Sequence, residues 1–267
     1  MLPSACSPVA EYDTELLRIM DNKVRRIGVI IPPGNVAVER EFPSYLPPGL
    51  VLNSNRLGRP DNQQTKESIL AMNATLAQTA RDLSQTHPDM IVYACTGGSF
   101  LEGLGREGEV AVEIERATGI PGISTSVAVV EALRAFGARK VFLVGPYPHD
   151  IMRFEQKFLE HHGFDAPRYI TFECMTSEAN RALTSEGIAE AVLAEREAIA
   201  GCDAVFISCT NILVMDRIEL LERELRKPVV TSNQATLWQT LCRLGLDTRG
   251  LHGGRLFDEH GPAAAPR

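Results

Sequence analysis

No run of Lys and Arg occurs anywhere in the 267 residues, and the 27 basic side chains are outnumbered by 34 Asp and Glu, for a formal net charge of -7. Phosphate contact needs a local excess of positive charge, and no aromatic stacking motif is present either, so a general nucleic-acid binder is excluded. No apolar stretch approaches the roughly 18 residues that a membrane span requires. Met1 to Lys23 lacks a basic segment followed by an apolar core, so a soluble cytoplasmic protein without a membrane partner is expected. The six cysteines (Cys6, Cys95, Cys174, Cys202, Cys209 and Cys242) include no C-x-x-C pair, which argues against structural zinc. Without a secretory signal they read as reduced thiols rather than a disulfide framework. His149 and the pair His161-His162 have no second ligand type at useful spacing, so no metal is expected. Neither a complete phosphate loop nor the dinucleotide glycine pattern occurs.

What the chain does have is apolar strand-length runs alternating with amphipathic stretches. Ile27 to Ile31, Met90 to Ala94, Val141 to Val144, Ala204 to Ile207 and Pro228 to Val230 suit strands covered on both faces by helices, the signature of a parallel α/β sheet. Thr65 to Leu83, Ile151 to His161, Ile188 to Ile199, Asp216 to Leu225 and Leu237 to Leu244 read as helices. An extra helix is expected around Tyr12 to Met20, and the Pro/Ala-rich tail from Gly261 to Arg267 should fray.

The chain also repeats itself. Arg26 to Pro33 aligns with Lys140 to Tyr147, and the same offset carries Asp89-Met-Ile-Val-Tyr-Ala-Cys-Thr96 onto Asp203-Ala-Val-Phe-Ile-Ser-Cys-Thr210. Downstream, Ile120 to Ser126 resembles Lys227 to Asn233. Two copies of one α/β unit are predicted, each with a strand ending in Cys-Thr. Ligands of open parallel sheets bind beyond the carboxyl ends of the strands. Four loops should therefore converge: Pro32 to Asn35, Cys95 to Ser99, Gly145 to Pro148 and Cys209 to Asn211. If a pseudo-twofold relates the copies, Cys95 and Cys209 face each other across one cleft, as two-base chemistry at carbon demands. Each cysteine should precede a helix start, whose free N–H groups would lower its pKa. Those N–H groups, with the hydroxyls of Thr96, Ser99 and Thr210, could hold a carboxylate without any arginine. Gly97 and Gly98 permit close backbone approach. Tyr147 falls at the strand end equivalent to Pro33. Cys174, Cys202 and Cys242 are expected only to pack.

With these residues in view, Ile27 to Glu39, Tyr93 to Phe100, Val144-Gly-Pro-Tyr147 and Ser208-Cys-Thr-Asn211 resemble the aspartate/glutamate racemase superfamily, in the branch of maleate cis-trans isomerase and arylmalonate decarboxylase. The resemblance covers about Arg25 to Phe257. It implies two pseudo-symmetric flavodoxin-like lobes with parallel sheets and the active site between them. Residues 25–124 plus 231–260 would form the first lobe and 125–230 the second, with 1–24 and 261–267 peripheral. It implies that Cys95 is the nucleophile and Cys209 the proton donor or acceptor. Substrate would be held by Asn35, by the Tyr147 hydroxyl, by the backbone around Thr96 and Thr210, and by Asn180. Pro33, Gly97 and Asn211 complete the expected binding set in the same loops. A homodimer or larger homo-oligomer is implied, and no cofactor.

The resulting expectation is a cofactor-independent isomerase of the maleate cis-trans type acting on a small dicarboxylate. A racemase or epimerase using the same two thiols is the first alternative. An arylmalonate-type decarboxylase, protonating an enediolate through Cys209, is the second alternative, although the resemblance implies that decarboxylases of the branch keep only the second cysteine and here both are present. A two-lobed carboxylate-binding protein is the rival outside catalysis, but it has no reason to hold two facing thiols.

Overall fold

The computed structural model describes residues 24–262. The expected helix at Tyr12 to Met20 and the last five residues of the tail lie outside the described residues. Two four-stranded parallel sheets form the frame. The first contains β1 (Arg25–Ile31), β2 (Leu50–Arg56), β3 (Met90–Tyr93) and β4 (Gly122–Ser124), in the order β2-β1-β3-β4. The second contains β5 (Val141–Gly145), β6 (Tyr169–Thr171), β7 (Ala204–Ile207) and β8 (Val229–Thr231), in the order β6-β5-β7-β8.

The repeat extends to register. Ile27 pairs with Met90 as Val141 pairs with Ala204, and Tyr93 pairs with Ser124 as Ile207 pairs with Thr231. Even the strand entrances match. Asp89 accepts from Arg26 N–H at 2.8 Å, while Asp203 accepts from Arg139 and Lys140 N–H at 2.9 and 2.8 Å. The central strands are fully covered on both faces, which explains their unbroken apolar runs. Edge strand β2, Leu-Val-Leu-Asn-Ser-Asn-Arg, is half exposed and correspondingly polar toward its end.

The helices Thr125–Ala135 and Ser232–Arg243, which follow β4 and β8, pack against each other and against both of those strands. Thr236 Oγ1 donates to Thr125 Oγ1 at 3.0 Å between them. This helix pair lies at the centre of the two-lobed body, and the carboxyl ends of both sheets converge beside it. Two expected helices are interrupted. Thr65 to Leu83 forms Lys66–Ala71, a 3-10 turn Met72–Thr75, then Leu76–Ser84. The tightened turn follows from Asn73, whose Nδ2 is drawn to Gly98 O at 2.9 Å and to Glu102 at 2.7 Å. Ile188 to Ile199 divides at Glu195 into Ser185–Ala194 and Arg196–Ala200. Among the described residues, no helix is long and apolar enough to cross a membrane.

Candidate active site

Cys95 and Cys209 leave the ends of β3 and β7 and line a single cavity between the sheets, of about 30 Å³ for the centres of water molecules. Gly97, Tyr147, Asn180, Thr210 and Asn211 share its wall, and Ile69 and Met72 form an apolar side. The two cysteines reach it by different backbone routes. Cys95 is extended (φ -150°) and caps the helix Thr96–Phe100, its Sγ accepting from Gly98 N–H at 3.3 Å. Cys209 has φ +104°, a left-handed conformation that costs a non-glycine residue about 1–3 kcal/mol. Its N–H donates to Ser232 Oγ at 3.0 Å, and its Sγ accepts from Asn211 N–H at 3.4 Å and Asn180 Nδ2 at 3.7 Å.

Gly98 has no room for a side chain. A Cβ there would stand 2.0 Å from Tyr93 Oη, which is fully buried and hydrogen-bonded to Asn73. At Gly97 the nearest side-chain atom to a Cβ would be Ile69 Cγ2 at 3.5 Å, an ordinary contact. Gly98→Ala is therefore expected to lose about 1–3 kcal/mol of stability through overpacking, and Gly97→Ala to melt close to the parent. Thermal melts of the two variants check this, and equal melting temperatures would contradict the packing.

The loops of the two lobes are tied together around the cavity. Asn35 Nδ2 donates to Thr210 Oγ1 at 3.0 Å, and Thr210 Oγ1 donates to Ala94 O at 3.0 Å. Thr96 Oγ1 donates to Ser232 Oγ at 2.9 Å, so Ser232 joins both Cys-Thr loops. Glu41 reaches from the first lobe to accept from Val214 and Met215 N–H at 2.7 and 2.9 Å. On another wall, Gln64 N–H donates to Met175 O at 2.9 Å and Ser177 N–H to Asn62 O at 3.1 Å, pairing the loops that follow β2 and β6.

The electrostatics correct the sequence expectation. A helix does begin at Thr96, but Cys209 is followed by a turn, and helical structure resumes only at Met215. The N–H groups there are taken by Glu41. Burial outweighs the donors at both thiols. At Cys95 it pushes the pKa up against the opposing pull of Gly98 N–H, the Arg59 guanidinium and the Tyr93 hydroxyl. At Cys209 burial pushes it up to about 12, despite hydrogen bonds from Tyr147 and Asn211, and the nearby Cys95 and Glu155 raise it further. Cys209 is thus a firmly held thiol, while Cys95 has a cation beside it.

Three expected binding residues stand off the cavity. Pro33 is exposed at the tip of its turn, closed by Asn35 N–H to Pro32 O at 3.0 Å, and Pro32 lines the wall instead. Asn35 is buried behind the wall, where its Oδ1 accepts from Ala37 and Val38 N–H. Thr96 is likewise buried, with its hydroxyl engaged by Ser232. Asn180 is 1% exposed and its Oδ1 has no hydrogen-bond partner among the described residues. Arg59, Gln64 and Ser177 line the cavity unanticipated. An isolated Arg between Gly58 and Pro60 carries no local signal, and the sequence reading did not include it among the site residues. Ser232 was visible only as the repeat counterpart of Thr125.

Comparison with known proteins agrees with this geometry. The family model described as arylmalonate decarboxylase matches residues 27–257. A maleate isomerase of Nocardia farcinica is 29% identical over 250 residues, covering 91% of this chain and 99% of that protein. An arylmalonate decarboxylase of Bordetella bronchiseptica is 29% identical over 234 residues, covering 87% and 96%. Among solved structures, a cysteine-to-serine mutant of the Nocardia farcinica maleate cis-trans isomerase with a covalently bound succinylcysteine intermediate superposes with a TM-score of 0.80. The two are 26% identical, over 88% of this chain and 98% of that one. From the doubled sheet, the paired cysteines and this match across nearly the whole length, the chain belongs to the arylmalonate decarboxylase family, an enzyme of the maleate isomerase and arylmalonate decarboxylase branch of the aspartate/glutamate racemase superfamily.

Proposed function

We propose that the protein isomerises a small cis-unsaturated dicarboxylate of the maleate type to its trans form, without a cofactor. The observation that carries this reading is the pair of unequal thiols on one cavity. A nucleophile must ionise, and Cys95 has the Arg59 guanidinium to favour its thiolate. A proton donor must keep its proton until negative charge develops on the neighbouring carbon, and Cys209 is held as a thiol.

The Cys95 thiolate adds to one alkene carbon, forming a C–S bond while the π electrons move toward the adjacent carboxylate. Cys209 gives its proton to the second carbon, leaving a succinyl thioether on Cys95 and a thiolate at Cys209. Rotation about the new single bond follows. Cys209 then takes a proton back, the double bond re-forms, and the C–S bond breaks to return the Cys95 thiolate. Tyr147, hydrogen-bonded to Cys209, and the neighbouring Asn180 and Asn211 supply donors for a carboxylate. The succinylcysteine of the Nocardia relative supports the covalent step.

Proton NMR of maleate in buffered D₂O tests the reading. Fumarate should appear without release of carbon dioxide. Loss of carbon dioxide from phenylmalonate, or α-hydrogen exchange in a chiral amino acid, with no cis-trans conversion of maleate would replace it with a decarboxylase or a racemase.

A further inference from the structure

Arg59 is the only cation lining the cavity among the described residues. Its Nε donates to Ser68 Oγ at 2.9 Å and its Nη2 to Gln63 O, which fixes the plane of the guanidinium. Nη1 has a single contact, at the 3.5 Å limit, with Ser177 Oγ. No carboxylate of the described residues comes within 4.0 Å of the group. The nearest in sequence, Asp61, is occupied by Ser68 Oγ and by Gln63 N–H. Burial works against this charge and lowers its pKa, with Cys95 the foremost of the groups that offset the loss.

Asp61 and Glu178 act on it only from a distance, and a half-buried guanidinium with no carboxylate in direct contact gains when an anion arrives to meet it. The rest of the cavity wall is neutral. Asn180 Nδ2 and Asn211 N–H donate to Cys209 Sγ, whereas Arg59 reaches the same wall through Ser177, and Ile69 and Met72 are apolar. We infer that Arg59 is a specificity-determining residue that binds a second anionic group of the substrate through its open Nη1 edge, so that the site selects dianions over monoanions. The inference rests on the cavity being the substrate site, as in the proposed isomerisation, and adds the residue that reads the second charge. The same cation stabilises the Cys95 thiolate, so substrate recognition and nucleophile activation share one side chain.

Binding of two unreactive probes, succinate and its monoamide succinamate, tests this by calorimetry without requiring turnover. The unmodified protein should bind succinate about tenfold or more tightly than succinamate, a difference equivalent to one good charge-assisted contact. Arg59→Met should abolish the preference and Arg59→Lys should keep part of it. Arg59→Gln, which can retain the bond to Ser68, guards against a folding failure. The pH midpoint for alkylation of Cys95 should rise in Arg59→Met. An unchanged preference, or no binding of either probe by the unmodified protein, overturns the inference. Arg59-dependent dianion binding without maleate turnover would leave this inference standing and remove the isomerase reading, whereas turnover with an Arg59-independent preference would do the reverse.

Discussion

Cys209→Ser is expected to lower the turnover of maleate by about 10²- to 10⁴-fold, the usual worth of a positioned acid or base, while leaving the melting temperature nearly unchanged. A serine hydroxyl fills almost the same volume and can still accept from Asn211 N–H, but it is a far weaker acid and its conjugate base is not formed at neutral pH. The consequences for the two half-reactions differ. Addition of Cys95 can still proceed slowly, because solvent can protonate the carbanion. Elimination needs a base at residue 209 and stalls, so mass spectrometry should find the chain heavier by one substrate, attached at Cys95. Cys95→Ser should lose turnover at least as severely and carry no adduct, since a hydroxyl does not add to the double bond. Equal adduct in both variants, or full activity in either, would contradict the assignment of roles.

Glu155→Gln is expected to make the protein more stable than its parent at pH 8 and nearly equal to it at pH 5. Glu155 is completely buried on the helix His149–His161, where it is bonded to the Ser208 hydroxyl and its second oxygen has no partner among the described residues. Burial pushes its carboxyl up to about 8 from an ordinary 4.5, against a downward pull from Ser208. Between those two values the folded chain carries a proton that the unfolded chain has lost. The contribution of this group to stability is therefore complete below pH 4.5. It falls by about 1.4 kcal/mol per pH unit as pH rises toward 8, then levels off. Glutamine cannot ionise and lacks this slope. Urea unfolding at a series of pH values should show the difference between parent and variant growing by roughly 3–5 kcal/mol across that window. Parallel profiles would mean that Glu155 is ionised in the fold.

The fold was legible because its information is local and doubled. Each central strand is an unbroken apolar run, and the two Cys-Thr strand ends sit at one constant offset, so the parallel sheets and their equivalence could be read from residue order. Matching strand pairs then follow, since identical pleat and burial impose identical register. Where residues act through distant partners, the signal vanished. Asn73 breaks a helix because Gly98 and Glu102 pull on its side chain from elsewhere in the chain. Arg59 lies in a polar loop like many others until that loop pairs with the loop after β6.

The sequence by itself determined two α/β copies, a cysteine at each equivalent strand end, and the family to which such a pair belongs. The repeat alone presents the two thiols as equals, because the residues immediately before them are interchangeable, and only the family resemblance told them apart. Tertiary structure decided the difference. Gly98 tucks beneath Tyr93 so that Cys95 caps a short helix beside a cation, while Ser232 and Asn211 hold Cys209 in a left-handed turn. Burial acts on both, and what sets the two thiols apart is the field from side chains that neither strand encodes.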